Sequence, residues 1–198
     1  AATSYTGGAE DTSSTITGAG TVKRLRIEIS NQGDATSSAQ FRIEYQANAT
    51  SGTWVQLATS TAGAREWQTS TSTFVTDGTA TTNIATSTGG VTDENIIFNA
   101  GEVVASSSRN QSASELLSGI RFTEIEFAIQ PTTNASSATY YFRVSNAGTA
   151  LTTYSVYAPA VYSAASTVSC SVSTSTTSFG QIDTSAVYTS SPNASTSM

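Results

Sequence analysis

Apolar and polar residues alternate along most of this chain with a period of two. In Val22–Ser30, Leu25, Ile27 and Ile29 share one face while Arg24, Arg26 and Glu28 take the other. Gln40–Asn48 sets Phe41, Ile43 and Tyr45 against Arg42, Glu44 and Gln46. Thr123–Gln130 sets Ile125, Phe127 and Ile129 against Glu124 and Glu126, and Ala138–Asn146 sets Tyr140, Phe142 and Val144 against Tyr141 and Arg143. A strand turns successive side chains to opposite faces, so each run predicts a half-buried antiparallel strand with one wet face. The apolar sets are the expected core; the charged sets are expected at the surface or at a subunit contact. Shorter strands are predicted at Thr53–Ala58, Ser70–Thr76, Ile96–Phe98, Glu102–Ala105 and Thr153–Ala158. Helical spacing is confined to Ser114–Ile120, and Gly119 argues against a helix there.

Turn residues punctuate these runs. Asn31-Gln32-Gly33-Asp34 separates the first two long strands, Asp77-Gly78 marks another turn, and Asn146-Ala147-Gly148 follows the 140s strand. Pro131 removes a ladder donor where the 120s strand should stop. Many short strands at regular spacing predict an all-β fold, an antiparallel β-sandwich of immunoglobulin-like or jelly-roll type, over residues 22–159. Residues 1–21 read as an N-terminal arm or edge strand, with Tyr5 and Ile16 as their large apolar groups. Residues 160–198 are rich in Ser, Thr, Ala and Val, yet Val168, Cys170 and Val172 alternate with serines, and Phe179 and Ile182 follow. That segment reads either as a donor strand or as the start of a second immunoglobulin-like domain.

Composition narrows the function. The 198 residues hold 14 acidic and 8 basic side chains, no histidine, one cysteine and one lysine, for a net charge of −6. Serine and threonine fill about a third of the chain, well above ordinary usage. This balance offers no basic surface for nucleic acid or anionic lipid. Without histidine there is no Ser-His-Asp or Cys-His nucleophile and no common zinc site. No apolar run is long enough to span a bilayer as a helix. The start at Ala1-Ala2 suits a terminus left by signal cleavage, and trimming or a cropped sequence explains it as well.

Cys170 shares a face with Val168 and Val172, which fits a buried thiol or a disulfide to another chain. Asp77, Asp93, Glu94 and Glu102 sit in loops or at strand ends, where carboxylates hold calcium or simply face solvent; no recognised loop spacing is present. Trp54, Trp67 and the tyrosines are candidates for a sugar-stacking platform, but Trp54, in an alternating run, and Tyr140–Phe142 are expected in the core first. The sequons at Asn48, Asn110, Asn134 and Asn193 offer glycan acceptors.

Two stretches carry a family resemblance. Phe122–Gln130, Asn134–Ser145 (NASSATYYFRVS), Gly148–Leu151 and Tyr154–Tyr157 resemble a domain repeated in large, secreted, Ser/Thr-rich surface proteins of candidate-phyla-radiation bacteria. Val168–Ser173 with Phe179–Asp183 resembles the opening strand of spore-coat-U-type domains, which are pilus-like and immunoglobulin-like. In that family the first cysteine pairs with a later one, and this sequence has none after Cys170. The resemblances imply surface location and assembly, and bring no catalytic residues.

The resulting expectation is a secreted structural subunit of an extracellular filament, pilus-like fibre or surface layer. Copies would join by β-strand addition, with Val168, Cys170, Val172, Phe179 and Ile182 as the donated side chains. The partner is then the chain itself, with glycans in addition, and no nucleic acid, membrane insertion, metal or other cofactor is expected. A cell-surface adhesin or carbohydrate-binding module is the alternative, and a viral capsid or tail jelly-roll the third. Enzyme activity ranks last.

Overall fold

The computed structural model describes residues 11–60, 63–84 and 97–165, and over these the chain is all-β. The strands are β1 (Ser14–Thr17), β2 (Lys23–Asn31), β3 (Ser37–Ala47), β4 (Val55–Gln56), β5 (Trp67–Thr69), β6 (Phe98–Val104), β7 (Gln111–Leu117), β8 (Arg121–Pro131), β9 (Ala138–Asn146), β10 (Thr149–Ala150) and β11 (Ala158–Ser163). The first sheet runs β1-β11-β9-β3-β4, with β10 added to β9 and β7 to β3; the second runs β2-β8-β5, with β6 also on β8. Most pairs are antiparallel, and β1–β11 and β6–β8 are parallel.

The inner faces of the two sheets meet in one core, which makes the fold a β-sandwich. Phe41, Ile43, Tyr45, Tyr140, Phe142 and Val144 come from the first sheet, and Ile29, Ile125, Phe127 and Ile129 from the second. Trp67 is fully buried among them, edge-on to Tyr140 and Phe142 at 5.3 and 4.9 Å. The four long alternating runs all form strands close to their expected bounds. Their apolar faces point inward, although Leu25 and Ile27 are only half-buried.

The wet face is a different matter. Glu124 and Glu126 are completely buried, Glu44 nearly so, and the Arg26 side chain is 6% exposed. The strand register still holds, since β2 pairs Leu25 with Phe127 and Ile27 with Ile125 on one face, and Arg26 with Glu126 on the other. The outer face of β8 is covered instead by residues 70–84. Thr81 Oγ1 donates to the Glu124 carbonyl at 2.7 Å, and the Ile84 N–H to Glu124 Oε1 at 3.0 Å. Beneath this cover Arg26 donates to Glu124 and, at 2.9 Å, to Glu126, which offsets the cost of burying the carboxylates.

This cover also explains why Ser70–Thr76 is not a strand. The edge of β8 beyond Ile129 is taken by β6, paired from Phe98 to Val104, so the chain leaves β5 and crosses over the face. Other expectations change as well. Ser114–Ile120 is no helix: β7 occupies Gln111–Leu117 and turns at Gly119, where a Cβ would stand 2.3 Å from the Asp34 carbonyl oxygen. The two short strands foreseen at Ile96–Phe98 and Glu102–Ala105 are a single bulged β6, with Ile96 outside the described residues. Thr53–Ala58 narrows to β4 plus a bridge from Ala58 to Gln68. Residues 153–157 form no strand, and β11 starts at Ala158 and runs to Ser163, so the sheet continues past Pro159. At the other end β1 lies inside residues 1–21 as a parallel edge strand, with Ile16 in the core.

Candidate functional site: the end strand of the second sheet

β8 is flanked along its whole length, by β2 on one side and by β6 and β5 on the other. β2 is flanked once. Among the described residues its far edge meets no strand, although it is nine residues long. Leu25 and Ile27 stay half-buried for that reason, while their partners Phe127 and Ile125 are 0% and 1% exposed. A groove of about 1630 Å³ runs along β2 and reaches between the sheets. Ile16, Leu25, Ile27, Phe142, Val144 and Leu151 line it with apolar surface. Residues 151–156, which connect β10 to β11, border it as well.

That connection is pinned to the outer face of the first sheet. Arg143 of β9 and Glu44 of β3 stand opposite each other and form an ion pair, with Nη2 at 2.7 Å and Nε at 2.8 Å from Glu44 Oε2. The Arg143 guanidinium lies 4.4 Å from the Trp54 ring centre and 5.3 Å from that of Tyr154. Tyr157 stacks on both rings, at 5.2 Å from Trp54 and 5.5 Å from Tyr154. The Tyr154 hydroxyl donates to the Val144 carbonyl at 2.7 Å and accepts from the Leu151 N–H at 2.8 Å. Burial raises the Tyr154 phenol above its ordinary pKa, so it remains a neutral donor.

Trp54 is therefore not a core residue, contrary to the sequence expectation. It is half-buried on the outer face, and the reason is its phase: Val55 and Leu57 turn inward, which leaves Trp54 and Gln56 outside. Trp67, the other tryptophan considered for a platform, is in the core. The outer aromatic cluster offers the ring types a sugar platform would require, and its rings stack on one another and on Arg143.

The loop carboxylates have partners too. Arg109 donates three hydrogen bonds to Asp77, the shortest from Nη2 at 2.7 Å, and reaches Glu102 at 2.7 Å. Asp77 also accepts from the Ala105 N–H, and Glu102 from the Ala113 N–H. Burial pushes the Asp77 carboxyl up, while the Arg109 guanidinium and the Ala105 N–H outweigh it and hold it below its ordinary value. Glu115 is raised by burial and by the charge of Glu102. This arrangement clamps the 70s loop to β6 and β7. Asp93 and Glu94 lie outside the described residues, and among those described no group of three or more ligating side chains is placed to share a metal.

The residues singled out for assembly, Val168, Cys170, Val172, Phe179 and Ile182, also lie outside the described residues. The sequence alone does not single out the β2 edge. The available signal was in β2 itself, where Lys23, Arg24 and Arg26 alternate with apolar residues as edge strands often do. No protein-family model, curated protein or solved structure matches the chain, so the two family resemblances rest on the residues quoted for them.

Proposed function

We propose that this protein is a structural subunit of an extracellular filament or surface layer whose copies are joined by β-strand addition. The observation that carries the reading is β2: among the described residues, a nine-residue end strand beside a groove that leads to the core. A long end strand is an aggregation hazard unless something covers it. A strand from another copy would cover it, add ladder hydrogen bonds and place alternate side chains against apolar surface. The scarcity of charge agrees, because crowded subunits gain little from mutual repulsion.

The adhesin reading is weaker, because the half-buried rings of Trp54, Tyr154 and Tyr157 stack on one another and on Arg143. Negative-stain microscopy of the purified chain is the test. Filaments or sheets are expected from the full chain, and folded monomers from a chain ending at Ala165. The cut belongs after Ala165, since a cut at Pro159 would remove most of β11. Monodisperse full-length monomers at high concentration would contradict the proposal.

A further inference from the structure

We infer that the folded protein presents Asn134 as an acceptor for an N-linked glycan and withdraws Asn110, although each opens an Asn-x-Ser sequon. The inference rests on the extracellular part of the reading above and not on strand addition.

A sequon reacts through its amide nitrogen and needs its hydroxyl two residues on. Asn134 sits at the crest of the turn between β8 and β9. Backbone bonds hold that turn from below. The Asn134 N–H donates to Thr132 Oγ1 at 3.1 Å, the Ala135 N–H to the Thr132 carbonyl at 3.1 Å, and the Ser136 N–H to the Tyr140 hydroxyl at 3.2 Å. Ala135 points into the core, so Asn134 and Ser136 on either side of it face solvent. Among the described residues neither the Asn134 amide nor the Ser136 hydroxyl has a hydrogen-bond partner.

Asn110 is the opposite case. Its Nδ2, the atom a glycan would occupy, donates to the carbonyl of the core residue Leu57 at 2.8 Å. Ser112, which closes that sequon, is 2% exposed. Its hydroxyl accepts from the Phe41 N–H at 2.9 Å and donates to the Ala113 carbonyl at 2.7 Å. Transfer to Asn110 would break bonds that join β7 to β3. Asn48 is intermediate: it is exposed, but its Oδ1 accepts from the Thr139 N–H at 3.2 Å, which ties the amide to β9.

The sugar donor is a lipid-pyrophosphate-linked oligosaccharide. Asn134 Nδ2 attacks its anomeric carbon; the C–N bond forms as the C–O bond to pyrophosphate breaks. The lipid pyrophosphate leaves with the electron pair, and the Nδ2 proton passes to a base of the transferase.

Full-length folded protein is incubated with a purified oligosaccharyltransferase and a lipid-linked oligosaccharide, beside free peptides 43–65, 110–121 and 122–143. Trypsin releases the same three peptides from the protein, each with one sequon, and mass spectrometry reads their occupancy. Dividing protein occupancy by peptide occupancy removes the enzyme's sequence preference. The expected ratio is at least tenfold higher for Asn134 than for Asn110, with Asn48 between them. Ser136→Ala should abolish transfer to Asn134 and leave Asn48 as it was.

Equal ratios for Asn134 and Asn110 overturn the inference. So does transfer to the free peptide 122–143 without transfer to Asn134 in the folded chain. Microscopy of the same sample reads assembly separately, so dispersed monomers that accept the glycan would contradict strand addition and leave Asn134 standing as the acceptor.

Discussion

Asp77 and Arg109 illustrate how single side chains set the stability of this fold. The Asp77 carboxyl is held below its ordinary pKa, so its contribution is present above the unfolded value near about 3.9 and is lost as pH falls through the folded one. Asp77→Asn should therefore lower stability at pH 6, with the difference from wild type closing on the acid side. Urea unfolding from pH 3 to pH 7 measures this, and equal stabilities at pH 6 would refute it. On the alkaline side Tyr45, Tyr140 and Tyr154 are all raised by burial, so stability is present below about pH 10 and declines above it, as phenols ionise in the unfolded chain. Trp54→Ala removes ring contacts with Tyr157 and Arg143, and a loss of about 1–3 kcal/mol is expected by chemical denaturation. A loss near that of a fully buried core tryptophan, about 3–5 kcal/mol, would restore Trp54 to the core. At this scale the sequence was half legible. The phase of Val55 and Leu57 already placed Trp54 outside, whereas the Glu44–Arg143 pair depends on β3 and β9 being neighbours, which no local pattern states.

Between strands, the second sheet holds the least expected chemistry. Alternation in Thr123–Gln130 identified the apolar face correctly but carried no information about what lies over the other one. That face was misread as wet because its cover comes from residues 70–84, distant in sequence and lacking any alternation of their own. Arg26→Ala would leave Glu124 and Glu126 buried without their main counter-charge. A loss of about 3–5 kcal/mol is expected from urea unfolding, against about 0–1 kcal/mol if the face were exposed. The β7–β8 turn offers a second check. A methyl group on Gly119 would meet the backbone oxygens of Asp34 and Gly33 at 2.3 and 2.5 Å, so Gly119→Ala should cost about 1–3 kcal/mol. An unchanged midpoint would mean that this contact relaxes freely. β7 itself escaped notice because Ser112, Ser114 and Leu116 dilute its alternation, and β1 and β10 because each has four residues or fewer.

At the scale of the whole molecule, the two sheets close over most of their inner surface and leave the β2 side bordered by a groove. The core was readable from the sequence because the same alternating pattern recurs in β2, β3, β8 and β9. The position of β2 at the end of its sheet was not, since strand order follows from long-range pairing. The aromatic cluster on the first sheet steadies the 151–157 connection that borders the groove, which links the residue-scale contacts to the proposed assembly. Amide hydrogen exchange on assembled and dispersed protein tests that assembly most directly. Added backbone hydrogen bonds slow exchange where they form. If copies join along β2, the amides of Lys23–Asn31 should gain protection on assembly while those of β4 and β7 stay unchanged. Assembly that protects β4 or β7 and leaves β2 as it was would contradict the account.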